Sequence, residues 1–363
     1  MKRRYSVMYP RSLILGLFSF LLLSSPVSGQ KKTATRTSKN NAQLKDWFAK
    51  QPDADANMDG VLTMAEARAW IKARQSKDKP RSSNRPKPSE ANVSYGSHER
   101  QVLDFYQAKS KTPTPLVIYI HGGGFVGGTK NNMNVTMINE CLKAGISCAA
   151  IHYRFVDGPL DVSACMHDGA RAVQFLRSKA KAWNIDAGRV ACFGGSAGAG
   201  ISMWLGFHED LADPQSDDPI LRQSTRITAI GTLGGQSTYD PRWIKQEIGG
   251  RAWEHPSIFK MFNMSGPEDL NNSKLFDLYD EVSAITHLSQ DDPPIYMYYS
   301  EADGPMPKNA RPGQGIHHPK FGHRLKKEMD ALGIEARYRH QKDGGPNLHL
   351  EMFAFFKKHF GMK

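Results

Sequence analysis

Arg189-Val190-Ala191-Cys192-Phe193-Gly194-Gly195-Ser196-Ala197-Gly198 carries an apolar, strand-like run straight into a serine held between glycines, and helix-compatible residues continue to Leu205. This is the G-x-S-x-G pattern in its demanding context, strand before and helix after. The glycines let the backbone take a strained turn, leaving the serine oxygen exposed at the carboxyl edge of a sheet. The helix that starts there points its positive N-terminal end at the same spot.

Outward from this turn, apolar runs at 116–120, 146–153, 227–233, 295–299 and 335–339 repeat the strand signal. Helix-period stretches separate them, with Ala170, Val173, Phe175 and Leu176 on one face and Leu325, Met329 and Leu332 on another, and an aromatic-faced helix at 350–360 closes the chain. Such alternation predicts an α/β class with a mostly parallel sheet and helices on both faces. Residues 236–290 break the rhythm with Trp243, Trp253, Phe259, Phe262 and many turn residues, so they read as a lid-like insertion folded over the sheet.

A second chemical signal lies upstream, where His121-Gly122-Gly123-Gly124 follows the strand at 116–120. Backbone N–H groups of such a loop, with the N–H after the serine, form a hole for the oxyanion that develops when a carbonyl is attacked, worth roughly 3 kcal/mol per donor. Strand, His121-Gly122-Gly123-Gly124-Phe125, Tyr153-Arg154 and Gly194-Gly195-Ser196-Ala197-Gly198, in that order, resemble the hormone-sensitive-lipase-like and feruloyl/acetyl-xylan-esterase-like branches of the α/β-hydrolase superfamily. The resemblance covers about residues 102–360. It implies an α/β-hydrolase fold, carboxylic ester hydrolysis with Ser196 as nucleophile, and Gly123, Gly124 and Ala197 as oxyanion donors.

The triad should continue in the order serine, acid, histidine. Asp303, after the strand at 295–299, is the expected acid; Glu301 is its rival, closer to the strand. His349, between the last strand and the last helix, is the expected base, ahead of His340 at the strand's end and His359 inside the helix. Leu348 and Leu350 flank His349 where the family often has glycine. His317 and His318, in a loop on the expected active-site edge, are candidates for substrate contact or for structural bonding. The chemistry requires no cofactor.

Asp55-Ala56-Asn57-Met58-Asp59-Gly60-Val61-Leu62-Thr63-Met64-Ala65-Glu66 satisfies all twelve positions of the EF-hand calcium loop. Asp55, Asn57 and Asp59 would offer side-chain oxygens, Val61 its carbonyl, Thr63 a direct or water-bridged ligand, and Glu66 a bidentate carboxylate, a hard oxygen set that suits Ca2+. Pro52 precedes the loop and no second hand is evident, two departures from the EF-hand family this segment resembles.

Residues 1–29 form a basic start, an apolar run at 13–23 and small residues suited to cleavage, the pattern of a secretory signal, with an apolar run too short for a membrane anchor. Export to the periplasm or medium follows as an expectation, without stable membrane insertion. The remaining organisation reads as a tether at 30–41, a single EF-hand-like module at 42–75, a linker at 76–89 and the main domain at 90–363. The formal charge of +12 is local, because residues 1–90 hold 18 Lys and Arg against 7 Asp and Glu, and the rest 30 against 29. A nucleic-acid partner is therefore not indicated. Cys141, Cys148, Cys165 and Cys192 include no zinc-type pair and permit a disulfide or buried thiols.

The expected function is an exported serine esterase acting on small-molecule or polysaccharide esters. Short-chain carboxylesterase or lipase is the alternative within the class, and a calcium-dependent binding protein with an inactive hydrolase-like domain the alternative outside it.

Overall fold

The strand-helix alternation folds into one eight-stranded sheet in a computed structural model that describes residues 37–50, 54–55, 60–77, 84–156 and 160–363. The chain divides into two compact units, Met1–Lys79 and Pro80–Lys363.

The first unit contains α1 (Ala42–Lys50) and α2 (Met64–Lys77). Leu44, Ala54, Leu62 and Ala67 form its small core, and Trp47 meets Trp70 edge-on at 5.1 Å. Residues 37–41 of the expected tether belong to this module: Thr37 bridges Thr63, and the Ser38 N–H donates to the Leu62 carbonyl at 2.8 Å. Asn57 and Asp59 lie outside the described residues, as does the expected signal segment at 1–29.

In the second unit the strands are β1 (Glu90–Ser94), β2 (Val102–Tyr106), β3 (Thr114–Ile120), β4 (Ser147–Ile151), β5 (Ile185–Gly195), β6 (Ala229–Leu233), β7 (Ile295–Tyr299) and β8 (Ala336–His340). They run in the order β1-β2-β4-β3-β5-β6-β7-β8, with β2 antiparallel to both β1 and β4 and the rest parallel. The sheet lies between α3 (Val135–Lys143), packed on one face, and α4 (Ser163–Ser178) and α5 (Ala197–Phe207) on the other, because alternate residues of each strand feed opposite cores. On β5, Cys192 joins the core with Ile201 and Trp204 while Phe193 joins that with Met137 and Phe356.

The insertion at 236–290 is a series of short turns with α6 (Pro256–Met261) and α7 (Phe276–Val282). Beyond it come α8 (Lys320–Ala331) and α9 (Leu348–His359), one for each face of the sheet. The four cysteines are buried free thiols, and no helix among the described residues is long and apolar enough to cross a membrane.

Candidate active site

β5 and β3 pair so that Gly194 stands opposite Ile120, which brings the Gly-rich loop after β3 against the serine turn after β5. The fit is close enough to exclude side chains. A Cβ on Gly198 would lie 2.0 Å from the Ile120 carbonyl oxygen, and one on Gly122 would lie 2.5 Å from the Gly195 oxygen.

Ser196 itself sits at φ 52°, ψ −121°, in the positive-φ region that non-glycine residues rarely take. The turn is held from both sides, since the Ser196 N–H donates to the Leu233 carbonyl of β6 at 3.0 Å and its own carbonyl accepts the Gly200 N–H at 3.0 Å. α5 starts at the next residue, so Ala197 presents a first-turn N–H to the site.

Gly123, Gly124, Ser196 and Ala197 all line one cavity of about 430 Å³. Gly123 and Gly124 take φ of 125° and 58°. The loop is braced from behind by His121, fully buried and stacked on Tyr153 at 4.3 Å. A Nη2–H of Arg100 reaches His121 Nε2 at 3.4 Å, so Nδ1 carries the ring hydrogen and donates to the Gly122 carbonyl at 2.9 Å. Burial pushes this imidazole down to about 4, and the ring stays neutral.

The histidine that meets the serine is His317. Its Nε2 lies 2.8 Å from Ser196 Oγ, and its Nδ1 lies 3.3 Å from Glu301 Oε1. A carboxylate only accepts, so Nδ1 carries the hydrogen and Nε2 faces the hydroxyl with its lone pair. The other Glu301 oxygen accepts the Gly315 N–H at 3.1 Å, binding the two ends of the 300–319 loop together.

Two sequence expectations are corrected here. His349 occupies the first turn of α9, where burial lowers its pKa and its Nδ1 has no hydrogen-bond partner; the ring on Ser196 Oγ is that of His317. Asp303 faces outward to His323 at 3.5 Å and Lys342 at 3.7 Å. The loop after β7, which passes through Gly315 at φ 83°, thus brings Glu301 and His317 together before the chain reaches β8.

The weaker candidates serve as bracing. Nδ1 of His340 accepts the Lys342 N–H, so its Nε2 donates to the Glu301 carbonyl at 2.7 Å. His318 does the same for the Gly304 carbonyl at 2.9 Å, its Nδ1 taking the Lys320 N–H. His359 lies 3.3 Å from Glu335.

The insertion at 236–290 forms much of the cavity wall, with Tyr239, Ile244, Ile258 and Met261 as apolar lining and Gln236, His255 and Ser257 as polar lining. Gln236 Nε2–H donates to the Ile316 carbonyl at 2.8 Å, which ties this segment to the residue before His317. The His255 pKa is lowered, first by burial and then by the neighbouring His317.

In the smaller unit, Thr63 caps α2, and Glu66 Oε2 accepts both its N–H at 3.0 Å and its hydroxyl at 2.7 Å. Val61, two residues before this cap, is half-buried. Asp55 is buried; its Oδ2 accepts the Gly60 N–H at 2.8 Å, and its Oδ1 has no hydrogen-bond partner.

A mostly parallel sheet with a strained serine turn, a glycine loop beside it and a histidine on the hydroxyl has the α/β-hydrolase architecture. The chain belongs to the BD-FAE family, whose model matches residues 103–311, more than half of its length.

Among curated proteins it is similar to a probable carboxylic ester hydrolase, LipM, of Mycobacterium tuberculosis, 23% identical over 231 residues, covering 60% of this chain and 49% of that protein. The chain thus spans about half the length of that relative, and less of the other curated relatives it matches. Among solved structures, a truncated carbohydrate esterase from gut microbiota aligns with TM-score 0.57 at 21% identity, over 77% of this chain and 98% of that one. An acetyl ester-xyloside bifunctional hydrolase from Caldicellulosiruptor lactoaceticus aligns with TM-score 0.58 at 18% identity, over 78% and 100%. At these identities the likeness is one of fold.

Proposed function

We propose that the chain is an exported serine carboxylic ester hydrolase that works through an acyl-enzyme, with Ser196 as nucleophile, His317 as base and Glu301 as its orienting acid. The observation that carries this reading is the 2.8 Å approach of His317 Nε2 to Ser196 Oγ at the wall of a cavity that Gly123, Gly124 and Ala197 also line.

His317 takes the hydroxyl proton as Ser196 Oγ attacks the ester carbonyl. Glu301 stabilises the imidazolium that forms, and the loop and helix N–H groups receive the oxyanion. The tetrahedral adduct collapses as His317 returns the proton to the leaving alkoxide, freeing the alcohol and leaving the acyl group on Oγ. Water, deprotonated by the same ring, then releases the acid and regenerates the serine. No step calls for a cofactor.

Acyl groups on polysaccharides are the proposed substrates. The small, mostly apolar cavity supports a short or compact acyl group, and the carbohydrate-ester titles of the two structural neighbours support the alcohol side. Export is supported by the pattern of residues 1–29 alone. Purified protein lacking those residues should release p-nitrophenol from a short-chain ester, with Ser196→Ala slower by several orders of magnitude. A panel of acetyl, feruloyl and longer acyl esters then reads the specificity. Equal rates in the two proteins would point instead to a binding protein with a silent hydrolase domain.

A calcium site at the loop of residues 55–66 is the second part of the proposal. The partnerless, buried Asp55 Oδ1 and the oxygen-rich ligand set support it, with Glu66 as the closing carboxylate. Calcium should raise the melting temperature and Glu66→Gln should weaken that response; indifference to calcium and chelator would remove the site.

A further inference from the structure

At the far end of α5 from Ser196, His208 caps the helix and faces two residues of the 236–290 segment, Glu281 on α7 and His287 on the turn Ala284–His287. His208 Nε2 lies 3.5 Å from Glu281 Oε1, and His287 Nε2 lies 4.0 Å from Glu281 Oε2. One ligand atom from each of the three falls within 4.8 Å of the others.

The hydrogen-bond pattern fixes the ring of His208. Its Nδ1 lies 2.9 Å from the Glu209 carbonyl, which only accepts, so Nδ1 carries the hydrogen and the Nε2 lone pair points toward a carboxylate. A bare lone pair facing an anion wants a cation between them. The His208 and His287 rings stand 4.6 Å apart, close enough for one ion to meet both. One shared divalent ion satisfies all three groups. A ring N–H bonded to a backbone carbonyl, with the opposite nitrogen free, is also how metal-binding histidines are held.

His287 Nε2 now donates to the Glu281 carbonyl at 2.7 Å. That carbonyl also accepts the Trp204 Nε1–H at 2.8 Å, so it keeps a partner when His287 moves its hydrogen to Nδ1 and turns Nε2 inward. Two imidazoles and one carboxylate suit zinc and its first-row neighbours rather than calcium or magnesium. Zinc bonds of about 2.0–2.1 Å require donors roughly 3.3 Å apart, which small side-chain rotations achieve here. Glu281 is 41% exposed and His208 17%, so water can enter to complete the shell.

We propose that His208, Glu281 and His287 form a binding site for zinc or a similar first-row divalent ion that clamps the cavity-lining 236–290 segment onto the helix bearing Ser196. The site is structural, since α5 separates it from the serine by about 18 Å at 1.5 Å per residue.

The test uses the full protein after chelator treatment, in about 1 mM calcium so that the N-terminal loop does not compete. Zinc alone is titrated by calorimetry into the unaltered protein, His317→Ala, His208→Gln and Glu281→Gln, with melting temperatures in parallel. The expected result is one zinc equivalent in the unaltered protein and in His317→Ala. His208→Gln and Glu281→Gln should bind at least ~100-fold more weakly, beyond the 10–100-fold that loss of an outer partner costs. Zinc should raise the melting temperature only where it binds. His208→Gln without metal should keep the esterase rate, which verifies its fold. Copper quenching of Trp204, whose ring lies 4.3 Å from that of His208, gives a second readout that the variants should lose. Equal zinc affinity in all four proteins, or none in the unaltered one, would overturn the proposal.

Discussion

Glu301 lies 3.3 Å from His317 Nδ1 through one oxygen and accepts the Gly315 N–H through the other, so a single carboxylate both orients the imidazole and closes the loop that carries it. Glu301→Gln keeps the shape but presents an amide that can hold the wrong tautomer. A kcat loss of about 10²–10⁴ is expected, with little change in melting temperature. Asp303→Asn, on a side chain turned toward His323 and Lys342, should leave kcat within a few-fold.

The contact between the glycine loop and the serine turn gives a steric prediction. A Cβ at position 122 would lie 2.5 Å from the Gly195 oxygen and 3.4 Å from the Ser196 Cβ. Gly122→Ala should push the loop off the turn and misplace the N–H groups of Gly123 and Gly124. Steady-state kinetics should show kcat falling about 10²–10³-fold, the cost of one oxyanion donor, with KM much less affected.

Lys130 and Asp104 form a salt bridge of 2.7 Å in which both side chains are about 95% buried, with the Asn92 N–H as a further donor to Asp104. Lys130→Met leaves an unpaired buried carboxylate and should cost about 3–5 kcal/mol in urea denaturation at pH 7. A Lys130→Met/Asp104→Leu double variant should recover part of that loss.

Acid should weaken the fold through His121 and His152, both pushed down to about 4 chiefly by burial. The unfolded rings take protons below about 6.5 and the folded rings only near 4, so between those values the unfolded chain binds more protons and stability falls as pH drops. For the fully buried His121 the slope approaches 1.4 kcal/mol per pH unit. Denaturation curves from pH 7 to 4.5 should show this decline, and His121→Gln, though less stable at pH 7, should show a shallower one.

The fold was legible because its signals are local. The strand at 189–193 needed only its apolar run and the glycines after it, and 121–124 only its position behind a strand. The cavity wall at 236–290 was visible as broken rhythm but not as lining, since nothing local says which side of a short turn faces inward. The acid and base were harder. The proposed triad of Ser196, Glu301 and His317 follows the order serine, acid, histidine, yet that order is equally met by Asp303 and His349. The choice depends on the loop through Gly315 bringing His317 to Glu301, which is a tertiary event. Glu301, nearer the strand than Asp303, reaches the ring with its additional methylene.

Ester turnover by His317→Ala and His349→Ala, measured side by side on p-nitrophenyl acetate, decides which histidine serves as the base. His317→Ala should lose at least about 10³-fold in kcat while His349→Ala stays within a few-fold of the unaltered protein. A silent His349→Ala beside an active His317→Ala would contradict the assignment of His317 as base.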